Sequence, residues 1–327
     1  MALSYDPEYA KAIEPILPML ASQPRADVHD VQTRRARIKE AMSAFVSLIP
    51  MSPDIEITVH RVAAHDGYQI TVHEYRMKSA PASTSSTPTS AVVHAHGGGM
   101  ITADVETFKN YVAWLVEKTG IPFFSVDYRL APEVTGTALV DDCYAVLLWL
   151  SQNAKVFNVD STRIAVTGES AGGGIAAGVA LKARNEGFSP PLAKQILIYP
   201  MLDDRNNTPI EALEALHPVW ALADNITGWT ALLGKDKAGI PDTDVPEYAA
   251  PARAQSVKGL PPTYIDVGTL DLFRDEDLQY ASRIAAENIE VELHLYPGVP
   301  HGFELLAFQS EIGQQALRNR TKAYLSI

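Results

Sequence analysis

A serine in a glycine-rich turn is the feature of this sequence best suited to chemistry. Residues 166–174 are Val-Thr-Gly-Glu-Ser-Ala-Gly-Gly-Gly, so Ser170 has a glycine two positions away on each side. The apolar run before this stretch and the Ala/Gly-rich run after it predict a strand, a tight turn and a helix. In such a turn the glycines avoid clashes, and the helix N-terminus presents free N–H groups to an anion. The pattern favours a nucleophilic serine; the alternative is a turn in which the serine only caps the helix.

A second glycine-rich loop, His-Gly-Gly-Gly at residues 96–99, directly follows the apolar residues 91–95. Three consecutive glycines at a strand end indicate that the backbone must approach another group closely. The N–H groups of Gly97 and Gly98, with that of Ala171 after the serine, would then form an oxyanion hole for a tetrahedral intermediate. The alternative is a flexible glycine loop without a chemical role.

The acid and base that a serine nucleophile needs both follow it in the chain. A predicted strand at 263–267 leads into a loop with Asp271, and His301 lies in a loop after the last predicted strand. Imidazole titrates near neutral pH and can take the serine proton, and a carboxylate can orient the imidazole. Four other acids compete with Asp271. Asp266 lies inside the predicted strand, and three acids are typical of the first turn of a helix: Asp275, Glu276 and Asp277.

Chain order selects His301 from the nine histidines of the sequence. The other eight lie before the main sheet, in the strand that leads to the glycine loop, in an irregular segment after residue 202, or inside a later strand: His29, His60, His65, His73, His94, His96, His217 and His294. His301 alone lies on a loop after the acid, which gives the order Ser, Asp, His.

Composition limits the class of protein. The 327 residues are 46 % hydrophobic and 20 % charged, with a formal net charge of −12, which argues against nucleic acid as a partner. No apolar run reaches the roughly 18 residues of a membrane span, and residues 1–20 lack the basic start and apolar core of a secretory signal. The single cysteine, Cys143, excludes an internal disulfide and a thiolate metal cluster, and its apolar surroundings predict a buried side chain. We expect a cytoplasmic protein without a membrane partner.

The order of predicted elements indicates an α/β fold with a largely parallel sheet covered by helices on both faces. Helical patterns broken by prolines occupy residues 5–50, and Asp66-Gly67 predicts a hairpin between strands at 55–62 and 68–75. The Ser/Thr/Pro-rich stretch 79–90 is a solvated loop or a domain boundary. Further strands are predicted at 91–96, 122–128, 163–166, 194–199, 263–267 and 290–296, and further helices at 107–119, 138–152, 171–185, 220–233, 275–287 and 309–325.

Five motifs together resemble the hormone-sensitive-lipase-like group of α/β-hydrolases, the family IV esterases. They are His-Gly-Gly-Gly at 96–99, Asp-Tyr-Arg-Leu-Ala-Pro-Glu at 127–133, Gly-Glu-Ser-Ala-Gly-Gly at 168–173, Asp271 with Arg-Asp-Glu at 274–276, and His-Gly-Phe at 301–303. The resemblance covers about residues 90–310. It implies the α/β-hydrolase fold and hydrolysis of short-chain carboxylic esters by Ser170, His301 and Asp271, without a cofactor or metal. It also implies a homodimer as the expected assembly.

The resemblance further implies two structural units. Residues 1–50 and 203–250 would form a helical cap, and residues 51–202 and 251–327 the catalytic core. A small, apolar ester substrate would bind between them. The candidate pocket residues, for which packing of a helix on the core is the alternative, are Leu213, Leu216, His217, Val219, Trp220 and Leu222.

The chain departs from the family pattern at two places. Glu169 stands where the family usually has Asp or Thr, and Val-Thr-Gly-Thr at 134–137 replaces the usual run after the heptad. In the heptad, Arg129 and Glu133 are interpreted as structural ties, with a solvated charge pair as the alternative. Hydrolysis of an amide, lactone or carbamate is the alternative activity, because all share a tetrahedral oxyanion. A non-catalytic receptor on the same fold is a further alternative, against which the presence of His301 argues.

Overall fold

Eight strands form one sheet through the centre of the molecule. The structure is a computed structural model that describes residues 3–22, 26–79, 87–214, 216 and 219–327. The strands are β1 (Ile55–Ala63), β2 (Gln69–Met77), β3 (Thr89–Ala95), β4 (Phe123–Asp127), β5 (Val159–Glu169), β6 (Lys194–Ile198), β7 (Thr263–Gly268) and β8 (Val291–Tyr296). Their spatial order is β1-β2-β4-β3-β5-β6-β7-β8.

Burial along the strands explains this arrangement. β2 is antiparallel to β1 and β4, and the remaining neighbours are parallel. Every residue of β6 and β7 is buried, as expected for parallel strands covered on both faces. β1 and β8 lie at the two edges and alternate between buried or half-buried and exposed residues. The predicted α/β fold with a mostly parallel sheet is confirmed.

The hairpin between β1 and β2 closes at Asp66-Gly67. Gly67 has a φ of +86°, which a glycine adopts without steric cost, and the Asp66 carboxylate accepts a hydrogen bond from Tyr68 N–H at 3.1 Å. The turn fixes the register of the two strands, in which Ile55 pairs with Met77.

The helices follow the predicted order with small differences at their ends. α4 begins two residues late because the N–H and hydroxyl of Thr107 bind the Asp104 carboxylate at 2.8 and 2.6 Å in a turn. A short helix after His301 was not expected from the sequence. The helices are α1 (Pro7–Ile13), α2 (Leu17–Ser22), α3 (Val31–Val46), α4 (Lys109–Thr119), α5 (Ala138–Gln152), α6 (Ala171–Asn185), α7 (Glu211–Glu214), α8 (Leu222–Leu233), α9 (Arg274–Ala286), α10 (Phe303–Leu306) and α11 (Glu311–Leu325).

Two segments outside the strand–helix alternation contact each other. The N-terminal segment, residues 3–50, contributes Arg34, whose Nε lies 2.7 Å from Asp224 Oδ1 in the inserted segment, residues 203–250. Arg37 Nη2 lies 3.0 Å from the same carboxylate oxygen. Both Arg34 and Asp224 are buried. Removal of either partner would leave a buried charge unpaired and lower the free energy of unfolding by about 3–5 kcal/mol. This ion pair fixes α3 against α8.

The two segments are also tied to the sheet. Asp204 and Arg253 form a buried bidentate ion pair, with Nε–Oδ1 and Nη2–Oδ2 distances of 2.6 and 2.8 Å, where the inserted segment leaves and rejoins the core. At the other end of the chain, Tyr9 and Ile13 of α1 pack in a cluster with Val299. Within the low-complexity stretch, residues 80–86 lie outside the described part of the chain, and β3 begins at its end.

Candidate active site

Ser170 lies at the junction of β5 and α6, in a backbone conformation that few side chains adopt. Its φ is 58° and its ψ −121°. A Cβ on Gly172 would come within 2.0 Å of the Ala95 carbonyl oxygen, and a Cβ on Gly168 within 2.4 Å of the same atom. Strand and helix can therefore approach this closely only with glycine at both positions. The hydrogen bond from Ser170 N–H to the Ile198 oxygen, at 2.9 Å, fixes the turn.

The structure brings Ser170, His301 and Asp271 into one hydrogen-bonded chain. His301 Nε2 lies 2.9 Å from Ser170 Oγ, and His301 Nδ1 lies 2.8 Å from Asp271 Oδ2. The second carboxylate oxygen of Asp271 accepts a hydrogen bond from Phe273 N–H at 2.9 Å. Asp271 is fully buried, whereas Ser170 and His301 each keep 7 % of their surface exposed. The hydroxyl and the imidazole thus remain within reach of a small molecule.

The competing acids make other contacts. Asp266 is buried against Arg320, with Oδ2–Nε and Oδ1–Nη2 distances of 2.7 and 3.0 Å. Asp275, Glu276 and Asp277 lie in the first turn of α9. Glu276 is buried and accepts hydrogen bonds from the two N–H groups that open the inserted segment, at 2.7 and 3.1 Å. Burial raises the pKa of Glu276 and of Asp277 well above the ordinary values.

Several of the histidines passed over in favour of His301 contact carboxylates other than Asp271. His60 contacts Glu74 in the β1–β2 hairpin, and the neighbouring His73 lies near Glu106. His294 contacts Glu292 within β8. His217 lies outside the described residues.

Aromatic rings and a buried ionic network hold His301 in place. Its ring meets Tyr199 edge-on at 4.7 Å between centroids and Phe273 at 5.0 Å. The Tyr199 hydroxyl donates to the Glu304 carboxylate, which also pairs with Arg320 at 2.6 Å. Burial raises the pKa of Tyr199 well above its ordinary value, so its hydroxyl keeps the proton that it donates. Sequence reasoning missed Tyr199, Glu304 and Arg320; a charged residue three positions after His301 in an otherwise apolar stretch was the available signal.

The three predicted oxyanion donors lie around Ser170. Gly97 and Gly98 line the same cavity as Ser170, and Ala171 begins α6. Among the hydrogen bonds between described residues, none has the N–H of Gly97, Gly98 or Ala171 as its donor. These amides are therefore free to bind an anionic oxygen without first breaking an internal bond.

The glycine loop is held by its histidine. The His96 ring stacks on Tyr128 at 4.2 Å and on Phe108 at 6.0 Å, and its Nδ1 lies 2.8 Å from the Gly97 carbonyl oxygen. The Tyr128 hydroxyl donates to the His96 carbonyl oxygen at 2.7 Å. Burial lowers the pKa of His96 to about 4, so the ring is neutral near neutral pH. His96 is fully buried, and its contacts support the glycine loop.

Both charged residues of the heptad form ion pairs. Arg129 makes a bidentate pair with the buried Asp142, at 2.7 and 3.0 Å, and a further contact with Asp66 at 2.6 Å. Glu133 pairs with Arg35 of α3, and Arg35 also donates to the carbonyl oxygen of Ala131 at 2.7 Å. These contacts tie the heptad to the hairpin, to α5 and to the N-terminal segment, which agrees with the structural interpretation.

An apolar cavity opens beside Ser170. It measures about 60 Å³ as space open to the centre of a water-sized sphere. By that measure one water needs about 10–15 Å³, so the cavity has room for several water-sized groups. A second space of about 40 Å³ lies along α3 and shares part of its lining with the first. The shared lining residues are Ile38, Met42, Phe45 and Val219.

Two of the six pocket candidates line the cavity. Val219 and Trp220 do so, and the Trp220 ring occupies the place that a Cβ on Gly99 would need, at 1.8 Å. Leu213 is fully buried and, like Leu216 and Leu222, does not line it. His217 lies outside the described residues. The sequence did not predict that α3 contributes to the cavity lining. The apolar positions of a helix predict a buried face, but they do not show which part of the protein that face contacts.

The fold and the site define a class of protein. A serine on a strand-to-helix turn, with Asp and His on later loops in that chain order, is the arrangement of an α/β-hydrolase. A family described as having the alpha/beta hydrolase fold matches residues 92–305. The chain belongs to this family, and its predicted membership of the hormone-sensitive-lipase-like group is confirmed.

Relatives of the chain are esterases. Esterase LipI of Mycobacterium tuberculosis is 34 % identical over 213 residues, which are 65 % of each chain. Carboxylesterase NlhH of the same organism is 33 % identical over 298 residues, 89 % of this chain and 88 % of its own. The solved structure of a bacterial heroin esterase is 34 % identical, with a TM-score of 0.87 over 98 % of this chain and 97 % of that one. The match to LipI thus spans just under two thirds of that protein. These names confirm the predicted enzyme class, a carboxylic ester hydrolase.

Three further observations concern a membrane, a metal ion and the cysteine. None of the described helices combines the length and apolar character that a membrane crossing requires. The described residues contain no group of three or more His, Cys, Asp or Glu side chains placed to hold a metal ion. The single cysteine, Cys143, is buried.

Proposed function

We propose that this chain hydrolyses short-chain carboxylic esters through an acyl-enzyme on Ser170. The observation that carries the proposal is the continuous hydrogen-bonded chain from Asp271 through His301 to Ser170 Oγ, which ends at an apolar cavity. The esterase names of the relatives support the same class of substrate.

In the first half of the proposed reaction, His301 Nε2 takes the proton of the Ser170 hydroxyl as Oγ bonds to the ester carbonyl carbon. The π electrons of the carbonyl move to its oxygen, and the resulting oxyanion accepts hydrogen bonds from the N–H groups of Gly97, Gly98 and Ala171. When the carbonyl re-forms, the bond to the leaving alkoxide breaks, and His301 returns the proton to that alkoxide. The products of this half are an alcohol and acyl-Ser170.

Water then attacks the acyl-enzyme. His301 takes a proton from the water, the second oxyanion occupies the same donors, and collapse releases the carboxylic acid while Ser170 Oγ regains its proton. Asp271 stays ionised throughout, holds the His301 Nδ1–H and stabilises the imidazolium. Because the Asp271 carboxylate is fully buried and accepts from Phe273 N–H with its other oxygen, the imidazole is held in one tautomer and orientation.

We assign the N-terminal and inserted segments to a cap over this site, with the remaining chain as the catalytic core. The contact between Arg34 and Asp224, together with the cavity lining from both segments, supports this division. The small volume and apolar lining of the cavity favour acetyl to butyryl esters. A dimer formed through the β8 edge is also proposed, since Leu293 and Leu295 there are 38 % and 42 % exposed. The proposed location is the cytoplasm, where a lone buried cysteine is common.

The proposed reaction is tested with p-nitrophenyl acetate and butyrate and with an organophosphonate. The wild-type protein should hydrolyse both esters and take up one phosphonate, located on Ser170 by peptide mass spectrometry. Ser170→Ala should lose about 10⁶-fold in kcat, as expected when a serine nucleophile is removed. Ser151→Ala, on α5, is the matched control and should keep full activity. A wild-type protein that hydrolyses neither ester would refute the proposal. A higher kcat/KM for a matched amide than for the ester would show that the enzyme is an amidase instead.

A further inference from the structure

A second serine–histidine–carboxylate chain lies buried beside the proposed active site. Ser125 Oγ lies 2.8 Å from His94 Nδ1, and His94 Nε2 lies 3.0 Å from Glu169 Oε2. The side chains of His94 and Glu169 are 0 % and 1 % exposed. None of the three takes part in the reaction proposed above. The array therefore needs another explanation.

The array joins three adjacent strands of the sheet. Ser125 is in β4, His94 in β3 and Glu169 at the end of β5, and His94 pairs with Ser125 and Thr167 in the strand registers. Glu169 is covalently bonded to Ser170. His94 is two residues before His96, which opens the glycine loop. The His94–Glu169 pair thus links the strand that carries one part of the proposed oxyanion hole to the strand that carries the other.

We propose that the His94–Glu169 pair is a positioning device that sets the distance between the two halves of the oxyanion hole; this rests on the function proposed above. One half of the oxyanion hole consists of the N–H groups of Gly97 and Gly98, and the other half is the N–H group of Ala171. Two donors on separate loops stabilise an oxyanion only if both meet it at about 2.7–3.1 Å, so a small shift of one strand end weakens transition-state binding.

The surroundings of the Glu169 side chain strengthen this argument. Within the described residues, His94 is the only side chain that binds its carboxylate, and Glu169 Oε1 has no hydrogen-bond partner there. Glu169 also lines the cavity that contains Ser170. An unpaired carboxylate beside the place where negative charge develops would oppose the oxyanion. The contact with His94 Nε2 therefore also fixes where the Glu169 side chain lies beside the cavity.

The test compares three variants on esters and on a transition-state analogue. Glu169→Ala removes the link, Glu169→Gln keeps an amide oxygen that can accept from His94, and Thr167→Val is the matched control. Thr167 lies on the same strand, is fully buried and binds the Ile196 oxygen and the Tyr324 hydroxyl. The measurements are kcat and KM for p-nitrophenyl acetate, the inhibition constant of a trifluoromethyl ketone that forms a hemiketal on Ser170, and the midpoint of thermal unfolding.

For Glu169→Ala we expect kcat to fall about 10- to 100-fold with KM changed less than about twofold, because misplacement of a catalytic donor lowers the rate by up to about this factor. The trifluoromethyl ketone should bind more weakly by the same factor. Glu169→Gln should stay within about fivefold of wild type, since the hydrogen bond is retained. Thr167→Val should lower the unfolding midpoint and leave kcat within about twofold, because the buried hydrogen bonds that are lost lead to β6 and α11 and not to the glycine loop.

A Glu169→Ala variant with kcat and ketone affinity like those of Thr167→Val would overturn the proposal. So would a fall in kcat without a matching loss of ketone affinity. If Glu169→Ala does not fold, Glu169→Leu fills the same buried space and removes the partner of His94 Nε2 instead; a loss of kcat with an equal loss of ketone affinity supports the proposal, and no loss overturns it. A wild-type protein without ester turnover refutes the proposed function as well, whereas an active wild type with an unaffected Glu169→Ala refutes only this inference.

Discussion

Within the described part of the chain, two histidines each bridge a buried carboxylate and a serine hydroxyl. His301 connects Asp271 to Ser170 with distances of 2.8 and 2.9 Å, and His94 connects Glu169 to Ser125 with distances of 3.0 and 2.8 Å. The hydrogen-bond distances do not distinguish the two arrays. A Ser-His-acid contact set is therefore insufficient to identify a nucleophile.

Backbone and exposure separate them. Ser170 lies on a strand-to-helix turn at φ 58° and keeps 7 % of its surface exposed beside a cavity, whereas Ser125 lies inside β4 and is fully buried. Because its side chain is fully buried, Ser125 is out of reach of a substrate carbonyl. The comparison shows that the elbow and the cavity make one array a candidate for catalysis, while position in the sheet makes the other a link between strands.

The largest expected contrast is between isosteric changes to the two carboxylates. Asp271→Asn should lower kcat about 10⁴-fold, because the amide favours the wrong tautomer of His301. Glu169→Gln should lower kcat by less than about fivefold, since the amide keeps the hydrogen bond to His94, which has a positioning role only. Steady-state kinetics with p-nitrophenyl butyrate measure both, and circular dichroism checks that each variant is folded. Equal losses in the two variants would contradict the distinction drawn between the arrays.

A smaller effect is expected from the cavity onto which the Ser170 hydroxyl opens. Met42 of α3 lies between the spaces of about 60 and 40 Å³. Met42→Ala should join them and raise kcat/KM for p-nitrophenyl hexanoate relative to acetate by about tenfold, within the 10- to 200-fold range that a methylene pocket provides. Met77→Ala in β2, outside the cavity lining, is the control and should leave the ratio unchanged. An unchanged ratio in Met42→Ala would show that the second space does not receive substrate.

The sequence predicts the Ser170 array because its residues lie in motifs with a known chemical meaning. Glycines around Ser170 and in the His96–Gly99 loop indicate close backbone approaches, and the alternation of strands and helices places Asp271 and His301 on later loops. The predicted fold and order of elements, which rest on the same local patterns, were confirmed. The catalytic roles of these residues stay predictions.

Other parts of the site depend on contacts between distant segments. Glu169, His94 and Ser125 lie on three strands whose spatial neighbours follow from the β2-β4-β3-β5 order, which no local pattern encodes. The cavity lining from α3 likewise depends on how a helix near residue 40 packs over a loop near residue 220. Side-chain periodicity identifies the apolar face of α3 and gives no information on its partner. Long-range placement, rather than the type of residue, limited the prediction.

A third buried histidine, His96, has no carboxylate partner among the described residues, and its expected effect is on stability rather than on the reaction. Burial lowers its pKa from 6.5 to about 4, so the unfolded chain binds a proton between these pH values that the folded protein does not. The free energy of unfolding should therefore fall as the pH decreases from about 6.5 to about 4, by up to roughly 3 kcal/mol from this group. His96→Phe can keep the stacking on Tyr128 and Phe108 and should lose this part of the pH dependence. Urea unfolding of both proteins between pH 7 and pH 4 measures the free energy of unfolding at each pH. If the two proteins show the same pH dependence, His96 binds its proton equally well in the folded and unfolded states, which contradicts the prediction.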